Sequence, residues 1–108
     1  FFRLNMSGIE LQGADLTGAD LRDCNLQNAD LRGARLMDAQ LTRADLRGAK
    51  LGPLDIGGGR MLRTDFSRAN LKAANLGGAH APKARFLGAD LTGARLEGAE
   101  LRDAEFEA

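Results

Sequence analysis

The chain has 108 residues, carries 15 basic and 15 acidic side chains, and contains five Phe but no Trp or Tyr. A net charge of zero provides no global attraction for nucleic acid or an anionic membrane, so we expect no direct nucleic-acid binding and look for partners in local patches. Apolar runs of about eighteen residues are absent, which predicts no membrane span.

An apolar residue recurs at every fifth position along the whole chain, from Phe1 through Leu16 and Leu36 to Phe106. A second series lies two residues before each of these and is Ala at fifteen of its twenty-one positions. Because the two series are two residues apart, an extended segment would point both side chains to the same side. Each repeat is therefore predicted to be a short extended segment followed by a two-residue bend.

A period of five fits neither an α-helix nor a straight strand, since neither would bring successive members of the series to one face. If the chain bends after each unit and keeps its apolar residues inside, four bends close a coil of about 20 residues. Residue n then stacks on residue n+20, and 108 residues would give about 5.4 coils. Phe66, Phe86 and Phe106 would form one column.

The repeats Ala14-Asp-Leu-Thr-Gly, Ala44-Asp-Leu-Arg-Gly and Ala89-Asp-Leu-Thr-Gly resemble the signature of the pentapeptide-repeat family. The resemblance covers essentially the whole chain, so we predict one domain over residues 1–108. It implies an all-β fold, a right-handed quadrilateral β-helix, and the handedness comes from the resemblance alone. The predicted structural core comprises Leu16, Leu21, Leu26, Leu31, Leu36, Leu41, Leu46, Phe66 and Phe86.

Residues 52–64 depart furthest from the repeat, although Ile56 and Met61 keep its phase. We interpret them as one irregular coil in which the large Leu54 is offset by the small Gly59. The alternative is a locally loosened coil that serves as a recognition site. The three consecutive glycines do not predict a phosphate site, because no helix with Lys-Ser or Lys-Thr follows them.

Basic residues concentrate on the side predicted to be centred on residues 1, 21, 41, 61, 81 and 101. The candidate partner-binding residues in its middle are Arg43, Arg60, Arg63, His80 and Lys83. One interpretation is a docking strip for an acidic partner; the other is a solvated ladder balanced by Asp45 and Asp65 around the corner.

No catalytic constellation is present in the sequence. The interior is predicted to be filled by Leu, Ala and Phe, and the many Asp residues belong to the repeat itself. His80 has no second His or Cys at ligand spacing, which predicts a surface residue rather than a metal ligand. We therefore expect no enzyme activity, no metal and no cofactor.

The chain ends and the single cysteine bear on location and partners. Cys24 cannot form an internal disulfide, which favours the cytoplasm. A start at Phe1 without Met indicates a part of a longer chain. Phe1, Phe2 and Phe106 would leave apolar ends uncovered, so we expect flanking domains of the same chain, another protein, or a homodimer through a terminal coil to cover them.

Two functions follow from these expectations. The favoured one is a non-enzymatic protein-binding scaffold or structural solenoid module of a bacterial protein. The alternative, implied by the family resemblance, is a DNA-mimicking modulator or protector of DNA gyrase or another topoisomerase. Mimicry requires a strongly acidic surface, whereas this chain is neutral and its most charged side is predicted to be basic.

Overall fold

The computed structural model describes residues 1–106, so the last two residues of the predicted domain lie outside the described part. The chain winds in short extended segments joined by β-turns. At each regular turn an N–H donates to the carbonyl three residues earlier, as Ala29 does to Leu26 over 3.1 Å. At many turns the residue before the corner has a left-handed backbone conformation, for example Gly18 with φ of 71°. Gly recurs at this position because it adopts that conformation at little cost.

Successive coils are joined by parallel β-bridges at every fifth residue. In the first coils each bridge connects residues twenty apart, as in Asn5 with Asn25 and Asp15 with Arg35. The backbone bonds beside the bridges are short, with Met6 N–H donating to Asn25 at 2.7 Å. The structure therefore has the four-sided coil of twenty residues that the spacing predicts.

The spacing of the bridges departs from twenty residues at one place, where it becomes thirty. It is thirty for Arg35 with Asp65 and for Lys50 with His80, and returns to twenty for Asp65 with Arg85. Ten residues between Lys50 and Asp65 therefore lie outside the coils of the solenoid. The coil number predicted from the sequence was wrong by half a coil, because it assumed that every residue contributes.

These extra residues form an antiparallel β-hairpin. Strand β1 spans Leu54–Gly57 and strand β2 spans Arg60–Leu62, with Leu54 opposite Leu62. Gly57, Gly58 and Gly59 turn the chain with φ of 93°, 60° and 75°, which is accessible to Gly at little cost. The interpretation of 52–64 as an irregular or loosened coil was wrong, and Ile56 and Met61 are exposed rather than inward.

The core is a continuous column of Leu, Ala and Phe inside the coils. All nine residues predicted as structural core are buried. Phe66 stacks on Phe86 with ring centroids 5.1 Å apart, and Phe86 on Phe106 at 4.9 Å. Residues 1–106 contain no helix with the length and apolarity needed to cross a bilayer.

The Asp and Asn residues that directly precede inward side chains have a structural task. Carboxylate or amide oxygens at this position accept the backbone N–H two residues on, as Asn25 does from Gln27 at 3.0 Å and Asp90 from Thr92 at 3.0 Å. Such side-chain caps satisfy N–H groups that the turn leaves unpaired. The recurring Asp and Asn are therefore explained by the turns.

Candidate protein-binding site

Thr64 anchors the hairpin where the chain re-enters the solenoid. Its side chain is fully buried, and its hydroxyl accepts the Gly33 N–H at 3.0 Å while lying 3.0 Å from the Leu31 carbonyl oxygen. At the regular corner one coil earlier, the Gly13 N–H instead donates to a backbone carbonyl, that of Arg32. The Thr64 hydroxyl therefore replaces a backbone acceptor that the insertion displaces.

The base of the hairpin packs against two glycines of the preceding coils. A Cβ at Gly33 would lie 2.8 Å from Cβ of Leu54 and 3.1 Å from Cβ of Leu62, and one at Gly13 would lie 3.6 Å from Leu54. The first two distances leave no room for a side chain at position 33. Gly33, which also has a φ of 69°, thus forms the surface on which the hairpin rests.

The hairpin exposes large apolar side chains to solvent. Ile56, Met61 and Leu62 are 43%, 51% and 41% exposed. Within residues 1–106 the other exposed large apolar residues lie in the first and last coils: Phe1, Phe2, Leu4 and Phe106. The hairpin is therefore the apolar patch on the lateral surface of the described rod, and such patches mark interaction sites.

Two grooves flank β2. The first, which we call the hairpin groove, has a volume of about 410 Å³. Its lining residues are Gly13, Gly33, Arg35, Met37, Met61, Leu62, Arg63, Asp65 and Arg85. The second, the rear groove, has a volume of about 340 Å³ and is lined by Pro53, Met61, Arg63, Lys83 and Asp103.

The structure brings only some of the candidate binding residues together. Arg63 and Lys83 line the rear groove, where Arg63 Nε donates to the Lys83 carbonyl at 2.7 Å and a terminal nitrogen lies 3.3 Å from Glu105. Arg60 belongs to β2 itself. These three lie on or beside the hairpin.

The other two candidates line neither groove; Arg43 lies on a different face, whereas His80 lies on the same face as Lys83. Arg43 bonds Asp23 of the preceding coil at 2.8 and 3.0 Å, and its column continues to residue 73 rather than 63. His80 Nδ1 lies 3.1 Å from Glu100. The prediction that all five share one side was wrong, because ten extra residues rotate the later repeats by half a coil.

The corrected stacking also redistributes the surface charge. Over residues 1–106, the face centred on Leu21 and Leu41 carries four basic and three acidic residues, and the face centred on Leu26 and Leu46 carries two of each. The face centred on Leu31, which includes the hairpin, carries six basic and five acidic residues. The face centred on Leu36 carries three basic and four acidic residues. The predicted basic side does not exist, and no face departs from neutrality by more than one charge.

Most surface charges pair within the rod. Arg22, Arg32 and Arg47 each bond the Asp two residues earlier, with N–O distances of 2.7–2.8 Å. Hydrogen bonds from Arg22 lower the pKa of Asp20 to about 2. Within residues 1–106 the basic residues without an ion pair are Arg3, Arg35, Lys50, Arg60 and Lys83. Three of these five, Arg35, Arg60 and Lys83, lie on the hairpin or line its grooves.

In the described residues no group of three or more His, Cys, Asp or Glu side chains is placed to hold a metal ion. The site consists instead of an apolar hairpin, two shallow grooves and unpaired basic side chains. These features describe a four-sided β-solenoid repeat protein with an inserted hairpin.

The family model "Pentapeptide repeats (8 copies)" matches residues 14–52 and 69–107 of the chain. The chain belongs to this family, whose fold is the right-handed quadrilateral β-helix. The unmatched segment between the two blocks contains the hairpin. No curated protein sequence matches the chain significantly.

Several solved structures are similar to the chain. The pentapeptide repeat protein Rfr23 from the cyanobacterium Cyanothece 51142 shares 27% identity over 98% of this chain and 63% of its own, with a TM-score of 0.45. A pentapeptide repeat protein from the Arabidopsis thaliana thylakoid lumen shares 33% identity over 90% and 64%, with a TM-score of 0.47. HetL from Nostoc, involved in heterocyst differentiation regulation, shares 38% over 93% and 48%, with a TM-score of 0.38. The chain thus spans less than two thirds of each of these structures.

Proposed function

We propose that the chain is a non-enzymatic protein-binding scaffold whose contact surface is the inserted hairpin with its two grooves. The observation that supports this most is the exposure of Ile56, Met61 and Leu62 on the side of a rod whose other exposed large apolar residues lie in its first and last coils. Keeping three large apolar side chains in water is unfavourable, and a protein partner that covers them would remove that cost.

The partner is another protein or a flanking domain of the same chain. A second contact mode, a homodimer through a terminal coil, is supported by the exposure of Phe1 and Phe106 at the ends of the described rod. Cys24 is free and buried, which is compatible with the reducing cytoplasm that we propose as its location.

DNA mimicry of the kind that protects gyrase is the less favoured function. A rod that imitates duplex DNA must present a high density of negative charge. Here each face is within one charge of neutral, and many carboxylates are already bonded to Arg side chains, as Asp23 is to Arg43. We therefore rank the scaffold above the mimic.

Removal of residues 53–62 tests the scaffold directly. The deletion joins Gly52 to Arg63, which restores an uninterrupted repeat from Ala49 through Phe66 and should leave the solenoid folded. We expect proteins enriched from a lysate of the source cells by the intact chain to be lost with this variant, as measured by quantitative mass spectrometry. Circular dichroism of the variant checks its fold.

Charge reversals separate the candidate residues. Arg60→Glu combined with Lys83→Glu should reduce enrichment about tenfold, whereas Arg43→Glu should leave it unchanged because Arg43 already pairs with Asp23. Enrichment that survives the deletion would rule out the hairpin as the contact surface. Recovery of a topoisomerase by all of these variants would favour the mimic instead.

A further inference from the structure

We propose that the hairpin groove binds an extended segment of a partner protein in which a large apolar side chain is followed by acidic residues. This inference rests on the proposed scaffold function and specifies the chemistry of its partner. It follows from three properties of the groove: its apolar wall, its unpaired basic group and its free strand edge.

The apolar part of the groove is suited to one anchoring side chain. Met61 and Leu62 form the wall on the hairpin and Met37 lies on the solenoid, while Gly13 and Gly33 contribute no side chains to the lining. A volume of about 410 Å³ lies within the range of about 300–1,000 Å³ in which ligand groups bind. Methionine side chains adapt to differently shaped apolar partners, so the wall accepts Leu, Ile or Phe.

The charges lining the groove select acidic neighbours for that anchor. Arg35, Arg63 and Arg85 face a single acidic lining residue, Asp65. Arg63 and Arg85 form ion pairs with Glu105, at 3.3 and 3.2 Å, and Arg85 also lies 3.5 Å from Asp65. Arg35 makes no ion pair within residues 1–106, although its charge adds to the hydrogen bonds from Thr17 in lowering the pKa of Asp15 on the preceding coil. A guanidinium without a partner binds a carboxylate in bidentate geometry, and a basic neighbour in the ligand would be repelled.

The backbone favours an extended ligand. The lining includes Met61 and Leu62 of β2 but no residue of β1, so the groove follows the β2 side of the hairpin. In residues 1–106, β2 pairs with β1 alone, which leaves the backbone groups of its other edge available. Extended peptides bind such edges through main-chain hydrogen bonds.

The chain offers a direct probe, because it contains three methionines, and Met37 and Met61 line the groove while Met6 is buried in the core. The ligands are short synthetic peptides with a central Leu followed by two Glu, and matched peptides with Gln for Glu or Ser for Leu. With ¹³C-methyl methionine, the Leu-Glu-Glu peptide should shift the Met37 and Met61 signals and leave Met6 unchanged. Fluorescence anisotropy should show about tenfold weaker binding of both matched peptides.

Two substitutions that each replace a basic residue by Glu test whether the peptide carboxylates bind at Arg35. Arg35→Glu should weaken peptide binding about tenfold or more, whereas Lys50→Glu should leave it unchanged, since Lys50 also lacks an ion pair but does not line either groove. Met61→Ser should weaken binding while retaining the fold, because its side chain is exposed.

Several results would overturn the inference. The first is the absence of shifts in the Met37 and Met61 signals at millimolar peptide, and the second is equal binding of the Gln and Glu peptides. The third is self-association of the chain that Met61→Ser abolishes, because a second copy of the chain would then be the occupant of the groove. If cellular partners require the hairpin but no acidic peptide binds, the scaffold function stands and this inference fails. If peptides bind but the deletion leaves every cellular partner enriched, the groove inference stands and the hairpin is ruled out as the scaffold's contact surface.

Discussion

Replacing Leu36 with Arg is expected to destabilise the chain by more than about 4 kcal/mol, enough to unfold it at moderate temperature. Leu36 is fully buried in the apolar cluster. Around it are the aliphatic and aromatic side chains of neighbouring coils, so a guanidinium there would lose its hydration without gaining a partner. Urea denaturation followed by circular dichroism measures the effect.

The control for this prediction is Leu36→Met, which conserves volume and polarity and should cost less than about 1.5 kcal/mol. An arginine variant with the midpoint of the wild-type chain would show that position 36 does not face the interior. Because the repeat places all inward residues equivalently, that outcome would contradict the coil geometry as a whole.

Thr64→Val is expected to lower the free energy of unfolding by about 1–3 kcal/mol. Valine has nearly the shape of threonine but cannot accept the Gly33 N–H, which the Thr64 hydroxyl now accepts at 3.0 Å in a buried position. The loss arises because a donor that is hydrated in the unfolded chain would have no partner in the folded one. Chemical denaturation of the purified variant measures it.

The matched control is Thr17→Val. The Thr17 hydroxyl bonds only Asp15 at the exposed surface, so its loss should change stability by no more than about 0.5 kcal/mol. Equal stability of the two variants would mean that Thr64 does not anchor the hairpin.

The solenoid could be predicted from the sequence because one physical requirement is repeated at every fifth residue. Each inward Leu or Phe needs burial, and the second bend position outside the insertion adopts a left-handed conformation that Gly tolerates best. The Phe66, Phe86 and Phe106 column follows from the coil length alone, since none of the extra residues lies between them. The stacked rings at 5.1 and 4.9 Å agree with that prediction.

The hairpin was not predicted because its insertion leaves the phase of the repeat unchanged. Ten residues equal two repeats, so Ile56 and Met61 fall at inward positions although both lie outside the coil. A signal was nevertheless available: the apolar residues Leu54 and Ile56 precede three glycines, and Met61 and Leu62 follow them, a pattern typical of a β-hairpin. In the same region the usual Ala is replaced three times in succession, by Leu54, Gly59 and Thr64.

The candidate site was only partly predictable for the same reason. Arg60, Arg63 and Lys83 were identified and lie at the hairpin, but Arg43 was assigned to the same side by counting in steps of twenty. Arg35 and Met37 were not predicted to belong to the site. They lie one coil before the insertion, and they become neighbours of β2 only because stacked positions are thirty residues apart at this place. Sequence alone offered no signal for that contact.

The free energy of unfolding of Met61→Asp, compared with that of Leu46→Asp, decides whether the inserted hairpin lies outside the coils. Both residues hold the same phase in the repeat, but Met61 is half exposed and Leu46 is fully buried. We expect Met61→Asp to lie within about 0.5 kcal/mol of the unmodified chain and Leu46→Asp to lose several kcal/mol. Equal, large losses in both variants would place Met61 inside a coil and contradict the hairpin together with the binding surface built on it.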